Sequence, residues 1–397
     1  MQKLIFLGYV VDPKTASEYF GISIAGNKMQ WNVLKELSKS DEFSVDCLTI
    51  TPLAVFPKQK KLFQKKEKEL LFDKVNQTKV GYCNLPIIKQ LWQTRSIYRE
   101  ACKLLRKNPN AILFGFNLFP QIGIPMRKLK KKFPLCKTVS LLADLPIDDK
   151  TDRKGFSKWL RSRFDRSTWK NIEECEQFIV LNEYVAKTYL NGKPYIVIDG
   201  GVDAEEIKPY NPLPKTKKNI LFCGALTEYN GILNLLKAME HVNDADVTLD
   251  IYGGGYLEKT VSEYVSMHNN VFYHGKVSNE QVIQKQREAW LLINPRTVDD
   301  LIAKVTFPSK TFEYMLSGTP ILTTKLNGYG EEYEDKMFFI KEDSPLGIAT
   351  EISRLVEMDN VELVNIAKKA YTFIIKDKTW EAQVKKIVKL LQEGKNA

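Results

Sequence analysis

The chain predicts two doubly wound α/β domains in tandem, and three observations carry that prediction. Short apolar runs alternate with amphipathic stretches of helical period along most of its length. The segment Lys208–Asn219, with three prolines, four lysines and no apolar periodicity, interrupts the pattern, which then restarts. At 397 residues the chain is also too long for one ordinary core.

In the first half Lys3–Val10 reads as a strand, Asn27–Ser38 as a helix with Met29, Val33 and Leu37 along one face, and Phe43–Ile50 as a strand. A helix over Ser96–Lys107, a strand over Ala111–Phe116 and a helix over Gly123–Lys132 follow, then strands at Thr138–Ala143, Phe178–Leu181 and Tyr195–Ile198. The second half expects strands at Asn219–Cys223, Val247–Tyr252, Val271–Tyr273, Leu291–Asn294 and Pro320–Thr324. Helices fall between them at Gly231–His241, Leu257–His268 and Ser309–Ser317, and two more, Glu362–Ile375 and Thr379–Gln392, close the chain. The expected organisation is thus a first domain over 1–207, a linker over 208–219, a second domain over 220–376 and a terminal helix over 377–397. The opening MQKLIFLGYVVDPK meets Asp12 after a short apolar run and lacks a small-residue cleavage site, so it reads as a strand and not a signal peptide.

Composition excludes several classes. Hydrophobic residues make up 44% and charged residues 27%, values of a folded chain, and no run approaches the ~18 apolar residues that span a bilayer. Six cysteines (Cys47, Cys83, Cys102, Cys136, Cys175, Cys223) are scattered singly, which predicts reduced, buried thiols in a cytosolic protein. His241, His268 and His274 lack zinc-motif spacing, so no metal site is expected. The net charge of +11 is uneven: residues 1–205 hold 35 Lys and Arg against 22 Asp and Glu, whereas residues 206–397 hold 24 against 26. One half therefore faces something anionic; on charge alone nucleic acid, anionic lipid and a pyrophosphate-bearing acceptor all qualify.

The segment richest in chemistry is FPSKTFEYMLSGTPILTT, Phe307–Thr324. Pro308 suits a helix start, and Gly318 followed by Thr319-Pro320 suits its stop. Unpaired N–H groups near Ser309 and Lys310, beside a hydroxyl and an ammonium, make a phosphate site, although an ordinary surface helix with a proline start has the same pattern. Ser309, Lys310 and Glu313 share one helical face, with Phe312, Met315 and Leu316 on the other. Glu313, one turn in, can accept two hydrogen bonds from a ribose diol. Earlier, Gly21-Ile-Ser-Ile-Ala-Gly26-Asn27-Lys28 leads into a helix as a phosphate-approaching glycine loop would, without the full G-x-G-x-x-G spacing. Asp144 ends a strand, where it either contacts sugar hydroxyls or caps the strand.

Phe307–Pro320 resembles the signature of family-4 glycosyltransferases, in which the acid corresponding to Glu313 binds the ribose hydroxyls of a nucleotide. Ile220–Gly224 with Gly231, LDIYGGGYLEKTV at 249–261 and NVFYHGKV at 270–277 resemble successive motifs of that family's donor domain. In the last, the loop around Val277 would pair its backbone with the base. FIVLNEYVAKTYL and YIVIDGGVDAEEIKPY resemble the close of the acceptor domain, and Lys378-Thr-Trp380 the start of a helix crossing back to it. The resemblance implies the GT-B fold, two Rossmann-like domains facing a cleft. It also implies a retaining, metal-independent hexosyl transfer, as in bacterial capsule and exopolysaccharide synthesis. The donor would be a nucleotide-diphosphate sugar with uracil as its base, and the acceptor a glycan or lipid-linked precursor; no cofactor beyond the donor and no nucleic acid is expected.

Departures shape the expected site. Val305 stands where the family has a second glutamate, and Ala225 and Asn230 where Arg and Lys often hold the diphosphate. Arg296, in NPRTVDD, and Lys310 are then the candidates for neutralising it. The expected donor-binding set is Gly26, Asn27, Gly224, Val277, Arg296, Ser309, Lys310, Thr311 and Glu313, with Asp144, Lys310 and Arg296 in catalysis. Basic stretches at Lys58–Lys79, Arg127–Lys137 and Arg153–Lys170 suggest peripheral contact with the inner face of the plasma membrane. In the last, Phe156, Trp159, Leu160 and Phe164 form a stripe that suits either an interfacial helix or a domain helix; burial as core is the expectation. A sugar-nucleotide epimerase of the same shape would need acid–base residues, and residues 1–205 contain no histidine. A basic module binding membrane or nucleic acid would not need Glu313 or Lys310.

Overall fold

The computed structural model describes residues 1–147, 155–211, 213, 215, 217–298 and 301–393, with Phe156, Ile302 and Glu393 described by backbone alone. Arg153, Lys154, the side chain of Phe156, Pro212, Pro214, Thr216 and the Asp299-Asp300 end of NPRTVDD lie outside that description. Two compact units emerge: Met1–Gly200 with Trp380–Ala397, and Gly201–Thr379.

The first unit opens with β1 (Gln2–Gly8), α1 (Ile24–Lys39) and β2 (Phe43–Thr49). Short strands follow, β3 (Phe63–Gln64), β4 (Glu67–Leu71), β5 (Val75–Lys79) and β6 (Tyr82–Cys83), and then α2 (Ile88–Lys107). Next come β7 (Ile112–Phe116), α3 (Pro120–Lys132), β8 (Lys137–Leu142), α4 (Gly155–Glu174), β9 (Gln177–Val180), α5 (Glu183–Tyr189) and β10 (Tyr195–Val197). Eight of the strands form one sheet in the order β10-β9-β8-β7-β1-β2-β5-β4. All its pairs are parallel except β4 with β5, an antiparallel edge. Central strands buried on both faces are continuously apolar, as Leu4–Leu7 and Ile112–Phe114 are. The short strands of residues 63–83 escape the sequence reading because Lys58–Lys79 is dominated by charge.

In the second unit β11 (Lys218–Cys223), α6 (Ile232–Met239), β12 (Val247–Tyr252), α7 (Glu258–Val265), β13 (Val271–Tyr273), α8 (Asn279–Glu288) and β14 (Leu291–Asn294) follow in turn. Then come α9 (Leu301–Val305), α10 (Lys310–Ser317), β15 (Ile321–Thr324), β16 (Phe338–Ile340), α11 (Pro345–Val356) and α12 (Asn360–Asp377). Its six strands are all parallel, in the order β13-β12-β11-β14-β15-β16. That is the Rossmann order, with the direction of winding reversed between β11 and β14. The linker expected at Lys208–Asn219 falls inside this unit: Tyr210 packs on Tyr371 with ring centroids 5.1 Å apart, and the Tyr371 hydroxyl donates to the Lys208 carbonyl at 2.5 Å.

The last helix, α13 (Trp380–Glu393), returns to the first unit. Trp380, Val384, Ile387, Leu390 and Leu391 join the core built from Leu4, Phe6, Val33, Leu34 and Leu37, against α1. The helical period at 380–391 is therefore an apolar face with a partner. All six cysteines are free and buried, and burial pushes the Cys136 thiol up to about 11 and those of Cys175 and Cys223 up to about 12. No described helix is long and apolar enough to cross a membrane.

Candidate functional site

Ligands of open parallel sheets sit outside the carboxyl ends of the strands where the winding reverses. In the second unit that point is flanked by Cys223–Gly224, leaving β11, and Asn294–Arg296, leaving β14. Glycines shape the ground there. A Cβ on Gly253, whose φ is 135°, would stand 1.8 Å from the Gly224 carbonyl oxygen, and one on Gly231, at φ 74°, would stand 1.6 Å from that of Pro295. Backbone thus presses on backbone around Gly224 and beneath Arg296, and only glycine permits either approach.

Helix α10 points its amino end at the same place. Ser309 is its N-cap residue but makes no side-chain cap bond, so first-turn N–H groups keep no side-chain acceptor. The turn opens at Pro308, whose carbonyl accepts from Thr311 N–H at 2.9 Å, two residues before the helix proper. Lys310 reaches across to donate to the Cys223 carbonyl, and its Nζ lies 3.3 Å from where a Cβ on Gly224 would be. Burial lowers the Lys310 pKa; Cys223 and Glu313 oppose that shift and Arg296 adds to it. Lys310 thus abuts the Gly224 turn and feels the charges of both Glu313, one turn along α10, and Arg296, leaving β14. Arg296 lies over the Tyr229 ring at 5.6 Å. Glu313 is exposed and accepts no hydrogen bond among the described residues.

Below this surface lies a buried hydroxyl network. Thr311 Oγ1 and Tyr329 Oη are 2.8 Å apart, Tyr329 Oη is 3.4 Å from Thr323 Oγ1, and Thr323 donates to the Asn294 carbonyl at 3.0 Å. The network ties the first turn of α10 to the end of β14. Tyr314, also buried, accepts from Cys223 N–H at 3.3 Å. Thr311 belongs to this support: it is 2% exposed and its hydroxyl is engaged, which removes it from the expected ligand-binding set. One residue on from Lys310 a helix has turned by about 100°, which carries Thr311 to the inner face.

The loop around Val277 joins β13 to α8. Gly253 N–H donates to the Gly275 carbonyl at 2.8 Å, and the Tyr273 hydroxyl donates to the Gly253 carbonyl at 3.0 Å. The Val277 loop is thereby fixed to the glycine turn that backs Gly224. Asn230, standing where a cation was expected by resemblance, donates to the Ala225 carbonyl at 2.8 Å. Among the described residues no group of three His, Cys, Asp or Glu side chains could hold a metal ion.

Three expected residues belong to the first unit. Gly26 lies within the first turn of α1, which begins at Ile24 and not Asn27, and its N–H donates to the Ser23 N-cap hydroxyl at 3.1 Å. The glycine loop expected there is thus a capped helix start. Asn27 is 1% exposed, with its amide spent on both backbone groups of Val11 at 3.0 Å, so it clamps the loop after β1 and offers nothing to a ligand. Asp144 lies two residues beyond β8. Asn117, buried with a left-handed φ of 48°, accepts from Ala143 and Asp144 N–H at 2.8 and 3.0 Å and donates to the Asp144 carboxylate at 3.1 Å. Surrounding protein raises the Asp144 pKa, the Asn117 bond opposes this, and the residue stays open to water. Nothing in the sequence around Asn117 marks this role.

Residues 217–358 match the family model described as Glycosyl transferases group 1. No curated protein matches the chain. Solved structures do: sucrose-phosphate synthase from Thermosynechococcus elongatus, at 15% identity and a TM-score of 0.67 with 99% of each chain covered, and a glycosyltransferase from Rickettsia africae, at 14% and 0.66 with 100% of each covered. Anabaena HepE in complex with UDP and glucose matches at 14% identity and a TM-score of 0.62, covering 99% of this chain and 100% of that one. The class is therefore defined as a two-domain GT-B fold whose second unit carries a glycosyltransferase group 1 domain.

Proposed function

We propose that the protein transfers a sugar from a nucleotide-diphosphate sugar, a UDP-sugar, to a lipid-linked glycan precursor with retention of configuration. One observation carries this reading: Lys310 and Arg296 converge with a bare glycine turn, a helix amino end and the exposed Glu313 at the switch point of a group 1 domain. Two cations and first-turn N–H groups suit a diphosphate, and a carboxylate one turn along suits a ribose diol. UDP in the structure of the similarly folded HepE supports uracil as the base.

In the proposed step the bond from the sugar's anomeric carbon to the diphosphate oxygen breaks and its electron pair leaves with the diphosphate. The acceptor hydroxyl bonds to the same carbon from the same face and gives its proton to a phosphate oxygen. Lys310 and Arg296 stabilise the charge that develops on the leaving group, the point where fixed cations in a partly dry site count most. No metal ion is assigned a part. Asp144 is assigned to sugar hydroxyls, as an acceptor of hydrogen bonds. The place of work is the cytoplasmic face of the plasma membrane, in capsule or exopolysaccharide synthesis.

Calorimetric titration with UDP, GDP and ADP, with chelator present, tests the donor assignment. UDP is expected to bind and Glu313→Ala to weaken it by about 10–100-fold, the worth of hydrogen bonds to a charged group. Absence of binding by all three nucleotides would remove the transferase reading.

A further inference from the structure

The turn Pro295–Val298, which carries Arg296, leaves β14 and is held from two sides. The first side is the turn after β11. There Gly231 lets backbone press on the Pro295 carbonyl, Thr297 N–H donates to the Tyr229 carbonyl at 3.2 Å, and the Arg296 guanidinium lies over the Tyr229 ring. On the second side stands Asp343, whose carboxylate accepts from Val298 N–H at 2.8 Å. Asp343 follows β16, and the sheet order β11-β14-β15-β16 puts β15 between that strand and β14. Its side chain therefore reaches past the end of β15 to make the bond.

The chain around Asp343 does not need this carboxylate. Ser344 is the N-cap residue of α11 and accepts from Gly347 N–H at 3.0 Å. Its own N–H donates to the Glu342 carbonyl at 2.8 Å and its hydroxyl to the Glu342 carboxylate at 2.9 Å. Turn and helix start are thus closed by the neighbours of Asp343. One Asp343 oxygen takes the Val298 N–H; the other is buried and meets no donor among the described residues. Burying a carboxylate oxygen without a donor is costly, and what the fold gains from Asp343 is a charge-assisted bond to the Arg296 turn. Without it that turn would be tied on the Tyr229 side alone. A guanidinium presents its donors in a rigid planar fork, so its hold on an anion depends on where its backbone is anchored.

We propose that Asp343 is a positioning residue: by holding Val298 it fixes the turn that aims Arg296, and so strengthens diphosphate binding without touching the nucleotide. The assignment rests on the reading of Arg296 as a ligand of the donor's diphosphate.

Calorimetric titration of the full chain with UDP and with uridine tests it. Asp343→Ala should weaken UDP binding by about tenfold, the size expected when one hydrogen bond to a charged acceptor is lost. Uridine binding should not change, because uridine carries no diphosphate for Arg296 to hold. Asp343→Ser, too short to reach Val298, should match Asp343→Ala. Asp343→Asn keeps an acceptor oxygen in place and should restore most of the affinity. In an Arg296→Gln background Asp343→Ala should weaken UDP no further, since no guanidinium is left to aim. Full UDP affinity in folded Asp343→Ala or Asp343→Ser, an undiminished loss in Arg296→Gln, an equal loss of uridine, or Asp343→Asn as weak as Asp343→Ala would each overturn the inference. Wild-type protein that bound no nucleotide would bring down the diphosphate reading and this assignment with it. UDP binding indifferent to the Asp343 variants would remove the assignment alone.

Discussion

Lys310 is half-buried, lowered in pKa and placed to meet an anion. Its ammonium is the form that binds a diphosphate, so the sign of its pH dependence follows directly. Affinity for UDP should hold at neutral pH and fall as pH rises through a value below the ordinary 10.5 of lysine. Lys310→Met should bind about 10–100-fold more weakly at pH 7 and lose that alkaline limb, with titration across pH 7 to 10 as the measurement. A limb that persists in Lys310→Met would assign it to another group. Thr311, its neighbour, should behave differently. Its loss acts through Tyr329 on the placement of α10, and not through a contact with the nucleotide.

Among the elements, the turns that bring backbone into contact are the most exacting. Gly231 opens α6 with a left-handed φ of 74° against the Pro295 carbonyl. Gly231→Ala should cost more than the roughly 1–2 kcal/mol of the left-handed backbone alone, because the added methyl must also displace Pro295. Since Arg296 is next in the chain, UDP affinity should drop together with the melting temperature. Stability unchanged in Gly231→Ala would show that the Pro295 turn gives way freely. Helix α4 corrects an expectation. Its stripe was expected as core, yet Trp159 is 51% and Leu160 39% exposed, whereas Phe164 packs inward, 5.5 Å from the Phe119 ring. A helix of this length shows its period in the sequence whether or not the apolar face finds a neighbour, and the Arg163 guanidinium lying 4.9 Å from Trp159 covers that ring instead.

At the scale of the whole molecule, α13 completes the core of a unit whose other elements lie almost two hundred residues earlier. Trp380 is 4% exposed among α1 and the central strands. Trp380→Ala should destabilise the first unit by about 3–5 kcal/mol and leave the second unit's UDP binding intact, read by chemical denaturation and calorimetry on one preparation. Uneven charge also resolves at this scale. Part of the basic excess of residues 1–205 is neutralised locally, Lys130 on Glu176 at 2.7 Å and Arg127 and Lys131 on Glu174 at 3.3 and 3.2 Å. Lys66 on Glu100 at 2.6 Å and Lys79 on Glu69 at 2.9 Å are neutralised likewise.

The sequence by itself determined the alternation of strand and helix, the tandem of two parallel-sheet folds and the special character of Phe307–Gly318. Those features are local: a period of apolar residues, a proline at a helix start and a glycine at its end act over a few neighbours and survive in the linear order. Tertiary structure alone decided which candidates have their polar groups engaged within the protein. Gly26, Asn27 and Thr311 sit in the right motifs, yet Ser23, Val11 and Tyr329 claim their polar groups. Only the packed sheet brings Arg296 beside Lys310 and leaves Ile87–Trp92 without cover, because a period says that a helix has an apolar face and not what, if anything, that face will meet.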